Sequence, residues 1–141
     1  MAILVILPYI GRTDVYFAGY DGALDFAQSA VYWKNGIEYS LPVKSFPGGA
    51  VYAMAISGTD TYFSGNDGSS AVYWKNGTEY TLPSKSLDGA NAVAVAISGT
   101  DIYFAGHDGN SAVYWKNGTK YTLSSTSSNA VVANAIAITY Q

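Results

Sequence analysis

The chain of 141 residues contains no cysteine, a single histidine and few charged side chains. Without cysteine it has no disulfide bond, no thiolate metal site and no cysteine nucleophile. Charged residues make up 12% of the sequence, against about a quarter in an average globular protein. The net charge is −3, and no basic stripe supplies the phosphate electrostatics that nucleic-acid binding requires. We therefore expect no nucleic-acid partner.

Long hydrophobic runs are also missing. The apolar segment Met1–Leu7 is too short to span a membrane, and it lacks the basic start of a secretory signal. Pro8 follows it, and we interpret the segment as a β-strand. We expect no membrane insertion, whereas the compartment stays open because a trimmed exported protein has the same composition.

What the chain does contain is one stretch of about forty residues written three times. Two motifs mark each copy, V-Y-W-K-N-G beginning at 31, 72 and 113, and T-D-x-Y-F-x-G beginning at 13, 59 and 100. Residues 57–83 and 98–124 are identical at 21 of 27 aligned positions. A fixed period of this size predicts a repeat architecture, in which each unit buries its apolar surface against its neighbours.

The repeats divide the chain into one domain of three units and a remainder. The units span about 1–49, 50–90 and 91–132, and the remainder, 133–141, begins as a further copy of a first strand. No segment has the periodicity of a helix. In the second unit the alternation of side chains predicts four strands, at Val51–Ile56, Thr61–Gly65, Ala71–Lys75 and Thr78–Leu82.

The four predicted strands differ in the bulk of their side chains. The first carries Ala53 and Ala55 on one face, so that a neighbouring sheet can approach closely. The middle strands are aromatic on both faces, and Asn76-Gly77 predicts a tight hairpin after them. The last strand is half polar, and we expect Glu79 to face water. Small inner, bulky middle and polar outer strands are typical of sheets packed around an axis.

The repeat also resembles a known family. The run A-V-A-I-S-G-T-D-I-Y-F-A-G at 94–106, followed by Y-W-K-N-G at 114–118, is similar to the blades of bacterial β-propeller repeat proteins, which are mostly uncharacterised and often exported. The resemblance covers almost the whole chain and implies an all-β fold of three four-stranded antiparallel propeller blades. The first unit departs from the pattern, because Ile3–Ile10 has no alternating alanine and contains Pro8.

Three blades are too few for a propeller, since propellers typically have four to eight. We therefore predict a homodimer that closes a six-bladed ring. Ala133–Ile138 (A-N-A-I-A-I) repeats the inner strand with no blade after it, and an unpaired strand edge invites pairing. It could supply the first blade of a partner chain, or Met1–Ile10 could form that strand itself. The alternative fold is a β-trefoil monomer, although its barrel requires larger residues than alanine on the inner strands.

The sequence predicts neither catalysis nor a cofactor. It contains no nucleophile–base set, phosphate loop or zinc spacing. His107 occupies a position where the other copies have Tyr20 and Asn66, which indicates a turn residue. The aspartates of the turns, such as Asp60 and Asp67, are expected to bond the backbone of their own turns. We expect no bound metal.

The candidate ligand-binding residues are repeated aromatics, namely Trp33, Trp74 and Trp115 with the adjacent Tyr32, Tyr73 and Tyr114. Flat rings of this kind stack on the apolar faces of sugars, so the primary hypothesis is a non-enzymatic binding module for carbohydrate or protein. The alternative is that these rings pack between blades of a structural, self-assembling or protein-interaction scaffold. One loop, Ala23–Ser29 with Leu24 and Phe26, either binds a ligand or fills a chain junction.

Overall fold

A computed structural model describes residues 3–9, 12–22, 28–125 and 128–139. The described residues form β-strands, turns and irregular segments, without any helix. No helix long and apolar enough to cross a membrane is therefore found in that part of the chain.

The strands form three four-stranded antiparallel sheets, each in chain order. Sheet one contains β1 (Val5–Tyr9), β2 (Arg12–Asp21), β3 (Ser29–Lys34) and β4 (Ile37–Ser40). Sheet two contains β5 (Gly49–Ser57), β6 (Asp60–Asp67), β7 (Ser70–Lys75) and β8 (Thr78–Thr81). Sheet three contains β9 (Ala90–Ser98), β10 (Asp101–Asp108), β11 (Ser111–Lys116) and β12 (Thr119–Ser125). The all-β prediction is confirmed, and three such sheets fit a propeller-like or a trefoil fold.

The last two strands of each sheet are joined by an Asn-Gly turn. Asn76 has a φ of 50° and Gly77 a φ of 83°, the left-handed pair that a tight hairpin requires. The Asn76 side chain accepts a hydrogen bond from the Thr61 backbone N–H at 2.9 Å and donates to the Asp60 carboxylate at 2.8 Å. Asp60 thus binds the neighbouring hairpin rather than the backbone of its own turn, because Asn76 already reaches across to it.

The glycine that ends the T-D-x-Y-F-x-G motif permits a close approach of two backbones. A Cβ atom added to Gly65 would lie 1.9 Å from the Ala50 carbonyl oxygen, which no real side chain could tolerate. The partner strand β5 is bulged opposite this point, between Val51 and Ala53. Gly106 has the same environment beside Asn91, so the motif fixes where the first strand bends in sheets two and three.

The sheets are stacked, and each has two different faces. The forward face of a sheet contacts the following sheet, as Tyr73 does when it stacks on Phe104. The backward face contacts the preceding sheet, as Trp74 does when it bonds Pro42. One apolar core therefore lies between sheets one and two, and a second lies between sheets two and three.

Both ends of the described chain differ from the repeats. Val5–Tyr9 pairs with β2, so the N-terminal segment forms a first strand of its own. Residues 131–139 belong to no strand, although they copy the first-strand sequence. The Ala133 backbone N–H donates to the Gly106 carbonyl at 3.1 Å, and none of the described strands pairs with the outer edge of this segment.

Candidate functional site

Two of the three tryptophans lie in the cores between sheets. Trp74 and Trp115 have no exposed surface. Their indole Nε1–H groups donate to the carbonyls of Pro42 and Pro83, at 2.7 and 2.8 Å, in the segment that leaves the preceding sheet. Each of these two rings thus binds its own sheet to the segment that follows the last strand of the preceding sheet. Neither ring has a face open to a ligand.

Two of the candidate tyrosines, Tyr32 and Tyr73, are each sandwiched between two aromatic rings. Tyr32 stacks on Tyr39 of its own sheet and on Phe63 of sheet two, with centroids 5.0 and 4.8 Å apart. Tyr73 repeats this arrangement with Tyr80 and Phe104. Burial raises the pKa of both Tyr32 and Tyr73. These rings form the forward half of each junction between sheets.

No described strand forms a sheet before sheet one, and the aromatic residues on the backward face of sheet one are correspondingly open. Phe17 is 38% exposed, whereas its counterparts Phe63 and Phe104 are 1% and 2% exposed. Trp33 is half-buried, and among the described residues its indole N–H has no hydrogen-bond partner comparable to Pro42. This face therefore has the residues of a junction between sheets, but no second sheet packs on it among the described residues.

The forward face of sheet three is the complementary surface. Tyr114 stacks on Tyr121 at 4.9 Å but, within the described segments, no phenylalanine lies on its other side. Leu123 is 58% exposed, while its counterparts Leu41 and Leu82 are 4% and 1% exposed. Of the six aromatic residues expected to bind a ligand, the two at the open ends of the stack are therefore Trp33 and Tyr114.

A buried aspartate fastens each junction at one edge. The Asp67 carboxylate accepts hydrogen bonds from the backbone N–H groups of Lys44 and Ser45, at 2.6 and 2.9 Å. Asp108 does the same for Lys85 and Ser86, at 2.8 and 2.9 Å. These aspartates bind the loop of the preceding sheet rather than their own turns. Sequence reasoning missed this because the partners lie more than twenty residues away.

The two junctions carry different charges beside these aspartates. Glu79 faces sheet one with a side chain only 3% exposed and pairs with Lys44 at 3.0 Å. The prediction that Glu79 faces water is thus wrong, because the preceding sheet covers it. Burial raises the pKa of Glu79, and the nearby Asp67 carboxylate raises it further. One of its oxygens has no hydrogen-bond partner.

Sheet three has Lys120 at the position of Glu79, and Lys120 pairs with Asp108. Although burial of Asp108 acts in the opposite direction, Lys120 and the two backbone N–H groups lower the pKa of its carboxyl. A polar cleft of about 330 Å³ opens here, lined by Lys85, Ser86, Asp108, Asn110, Ser111, Lys120 and Thr122. Lys120 and Asp108 within it are already paired with each other.

The remaining candidates bind a neighbouring turn or lie outside the described segments. His107 lies in β10 rather than in a turn, and its Nδ1 contacts the carbonyl of Gly109 in the turn that follows, at 3.3 Å, as Asn66 contacts Gly68. Of the loop Ala23–Ser29, residues 23–27 fall outside the described ranges. Within those ranges no group of three potential metal ligands comes together.

The chain matches no protein-family model, and no curated protein is similar to it. The resemblance to bacterial propeller repeats therefore stays a prediction, and the geometry of the two open faces is the basis for assigning a function.

Proposed function

We propose that the protein is a self-assembling β-propeller scaffold in which two copies close a ring of six blades. The forward face of sheet three in each copy docks on the backward face of sheet one in the other. The observation that carries this proposal is that the two exposed faces are the separate halves of a junction that the chain already forms twice within itself.

The equivalent positions of the repeats give the contacts across the docked faces. Phe63 and Phe104 cover Tyr32 and Tyr73, so Phe17 of one copy would cover Tyr114 of the other. The Trp74 and Trp115 indoles reach the carbonyls of Pro42 and Pro83, so Trp33 of one copy would by equivalence lie against the carbonyl of Ser124 of the other, a residue 41 positions beyond Pro83. Leu123 would be covered as Leu41 and Leu82 are.

The contacts among the sheets support a propeller over a trefoil. Every extensive contact between strands of different sheets joins sheet one to sheet two, or sheet two to sheet three, within the described residues. A trefoil closes around a threefold axis, so its first and third units would meet as closely as the others. A stack with two free ends instead corresponds to an arc of a ring.

Closure through two junctions favours a dimer over an open chain of copies. Complete burial of one large apolar side chain contributes about 1.5–3 kcal/mol, and a junction covers at least Phe17, Trp33 and Leu123. Once the first junction has formed, the second forms within the same complex, so its effective concentration is high. The two-fold ring therefore leaves neither face exposed.

Light scattering tests this proposal directly. We expect a mass twice that of the 14.9 kDa chain. Phe17→Glu and Leu123→Glu, one on each face, should each produce a monomer. The matched controls are Phe46→Glu and Leu87→Glu, because those side chains are 84% and 101% exposed away from the open faces. A wild-type monomer at micromolar concentration would reject the ring.

The binding-module hypothesis, with a carbohydrate or protein ligand, is the second candidate and now concerns mainly Trp33 and Tyr114. Their partly open rings are the ones at the ends of the stack. A ligand stacked on either ring would occupy the surface that the second copy needs. Ligand binding and dimer formation should therefore compete, which a titration monitored by light scattering measures.

A further inference from the structure

We propose that the C-terminal segment, residues 131–139, becomes the first strand of sheet one in the second copy and displaces β1 from β2. This inference rests on the proposed dimer and specifies how its chains are connected. Each copy gives one strand and receives one, so the exchange has the two-fold symmetry of the ring.

The C-terminal segment already lies where the first strand of a following sheet begins. Ala133 bonds Gly106, and the separation of 27 residues is the same as that between Ala92 and Gly65. Ala92 belongs to β9, which packs against β6 of the sheet before it. By the period of 41, Ala133 corresponds to Ala92. The segment thus extends from sheet three as β9 extends from sheet two.

Side chains of the C-terminal segment are more exposed than those of a first strand that is paired within a sheet. Val132 is 37% exposed and Ile138 is 36% exposed, and Ala135 is exposed as well. The corresponding alanine in sheet three, Ala94, is 8% exposed because β10 pairs with it. A strand equivalent to β10 would bury the segment, and the second copy provides one in β2.

The register in which β1 pairs with β2 differs from that of the equivalent strand pairs in sheets two and three. In sheets two and three, Ser57 and Ser98 lie opposite Asp60 and Asp101. The equivalent residue in sheet one is Asp14, and Leu7 lies opposite it, whereas alignment of the turns would place residue 11 there. The pairing of β1 is thus displaced by four residues. Ile6 of β1 and Leu4, just before it, are 55% and 50% exposed.

This displaced pairing leaves the C-terminal end of β2, from Gly19 to Asp21, without a partner on that side among the described residues. The pairing of β1 covers Arg12–Tyr16, and Ile3 adds two bonds to Ala18. Gly19, the glycine whose missing Cβ admits a bulged strand in the other sheets, has no partner on that side among the described residues. In the exchanged register Ala133 lies opposite Gly19, Ala137 opposite Tyr16 and Ile138 opposite Val15. The donated strand would therefore pair along β2 to Gly19.

Disulfide trapping tests the exchange, and the absence of native cysteine makes it unambiguous. Val15→Cys with Ile138→Cys should oxidise to a covalent dimer on a non-reducing gel. Val15→Cys with Ile6→Cys, which are paired in this structure, is the matched competitor and should stay unlinked in the dimer. Both designs use pairs that alternate with the hydrogen-bonded pairs of the ladder, where side chains are closest.

Each outcome separates the exchange from the ring. A dimer by light scattering in which only the Ile6 and Val15 cysteines link, within one chain, overturns the exchange and leaves face-to-face docking intact. A monomer overturns both. As a second measurement, Ala135→Pro removes a backbone N–H that the exchanged strand needs, at a residue that is exposed and outside any strand here. Loss of the dimer supports exchange, and a dimer of unchanged affinity contradicts it.

Discussion

Replacing Trp74 by alanine should cause one of the largest losses of stability available to a single substitution. The side chain is fully buried between sheets one and two, and its indole bonds the Pro42 carbonyl. Truncation of a buried tryptophan to alanine costs about 3–5 kcal/mol, most of it from the cavity that remains. Pro42 is itself exposed, so water can replace the lost donor and adds little to the loss.

Trp33→Ala is the matched control, because it removes the same side chain from the same position of a sheet that has no second sheet packed behind it among the described residues. In dilute protein its loss should be roughly 1–2 kcal/mol, in proportion to the area that it buries. At higher concentration the same substitution should weaken the dimer, tenfold for each 1.4 kcal/mol lost at the junction.

Urea unfolding measures the stability of both variants. It is followed by far-ultraviolet circular dichroism and by the fluorescence of the two tryptophans that remain in each variant. Because the total stability of a domain is about 5–15 kcal/mol, Trp74→Ala should clearly lower the urea concentration at the unfolding midpoint. Trp115→Ala should lower it by a similar amount, because Trp115 is equally buried. Equal losses for Trp74→Ala and Trp33→Ala at the same dilution would refute the packing described above.

Three further measurements address other parts of the molecule. Because Glu79 has a raised pKa in the folded state, its contribution to stability is present below the ordinary glutamate range and is lost as pH rises through the raised value. Glu79→Gln should therefore flatten the pH dependence of unfolding between the ordinary glutamate pKa and the raised value, and an unchanged pH dependence in that variant would contradict the raised pKa. Tryptophan emission should be blue-shifted. In dilute protein acrylamide should quench only the emission of Trp33, so the Trp33→Phe variant should be quenched little. Strong quenching in that variant would contradict the burial of Trp74 and Trp115. Titration with millimolar monosaccharides should leave both the emission and the dimer unchanged, and a saturable spectral shift would instead favour the glycan-binding hypothesis.

The sequence predicted the local structure well because the signals are local. The Asn-Gly hairpins, the four strands of each repeat and the opposite orientations of Tyr73 and Trp74 follow from residues within a few positions of each other. Alternation of side chains and the left-handed preference of glycine decide these features without reference to the rest of the chain.

The junctions were less accessible because their partners are distant in sequence. Glu79 appears in a half-polar strand, and only the loop that carries Lys44 reveals that it is buried. Asp67 reads as a turn residue, yet its partners are 22 and 23 positions earlier. The repeat count predicted open ends, but residue types could not show which aromatic rings line them, since Phe17 and Phe63 are the same residue in the same motif and differ only in what covers them.

The charge difference between Glu79 and Lys120 has a consequence for folding. Units of nearly identical sequence can dock in the wrong order, and such misassembly is characteristic of repeat proteins. If sheet three folded back onto sheet one and bypassed sheet two, Lys120 would lie beside the loop of Lys44, just as it shares a cleft with the equivalent loop lysine, Lys85, in the native order. The cost of that error would therefore be the loss of the Glu79–Lys44 ion pair, which sheet three cannot replace because it has lysine at that position.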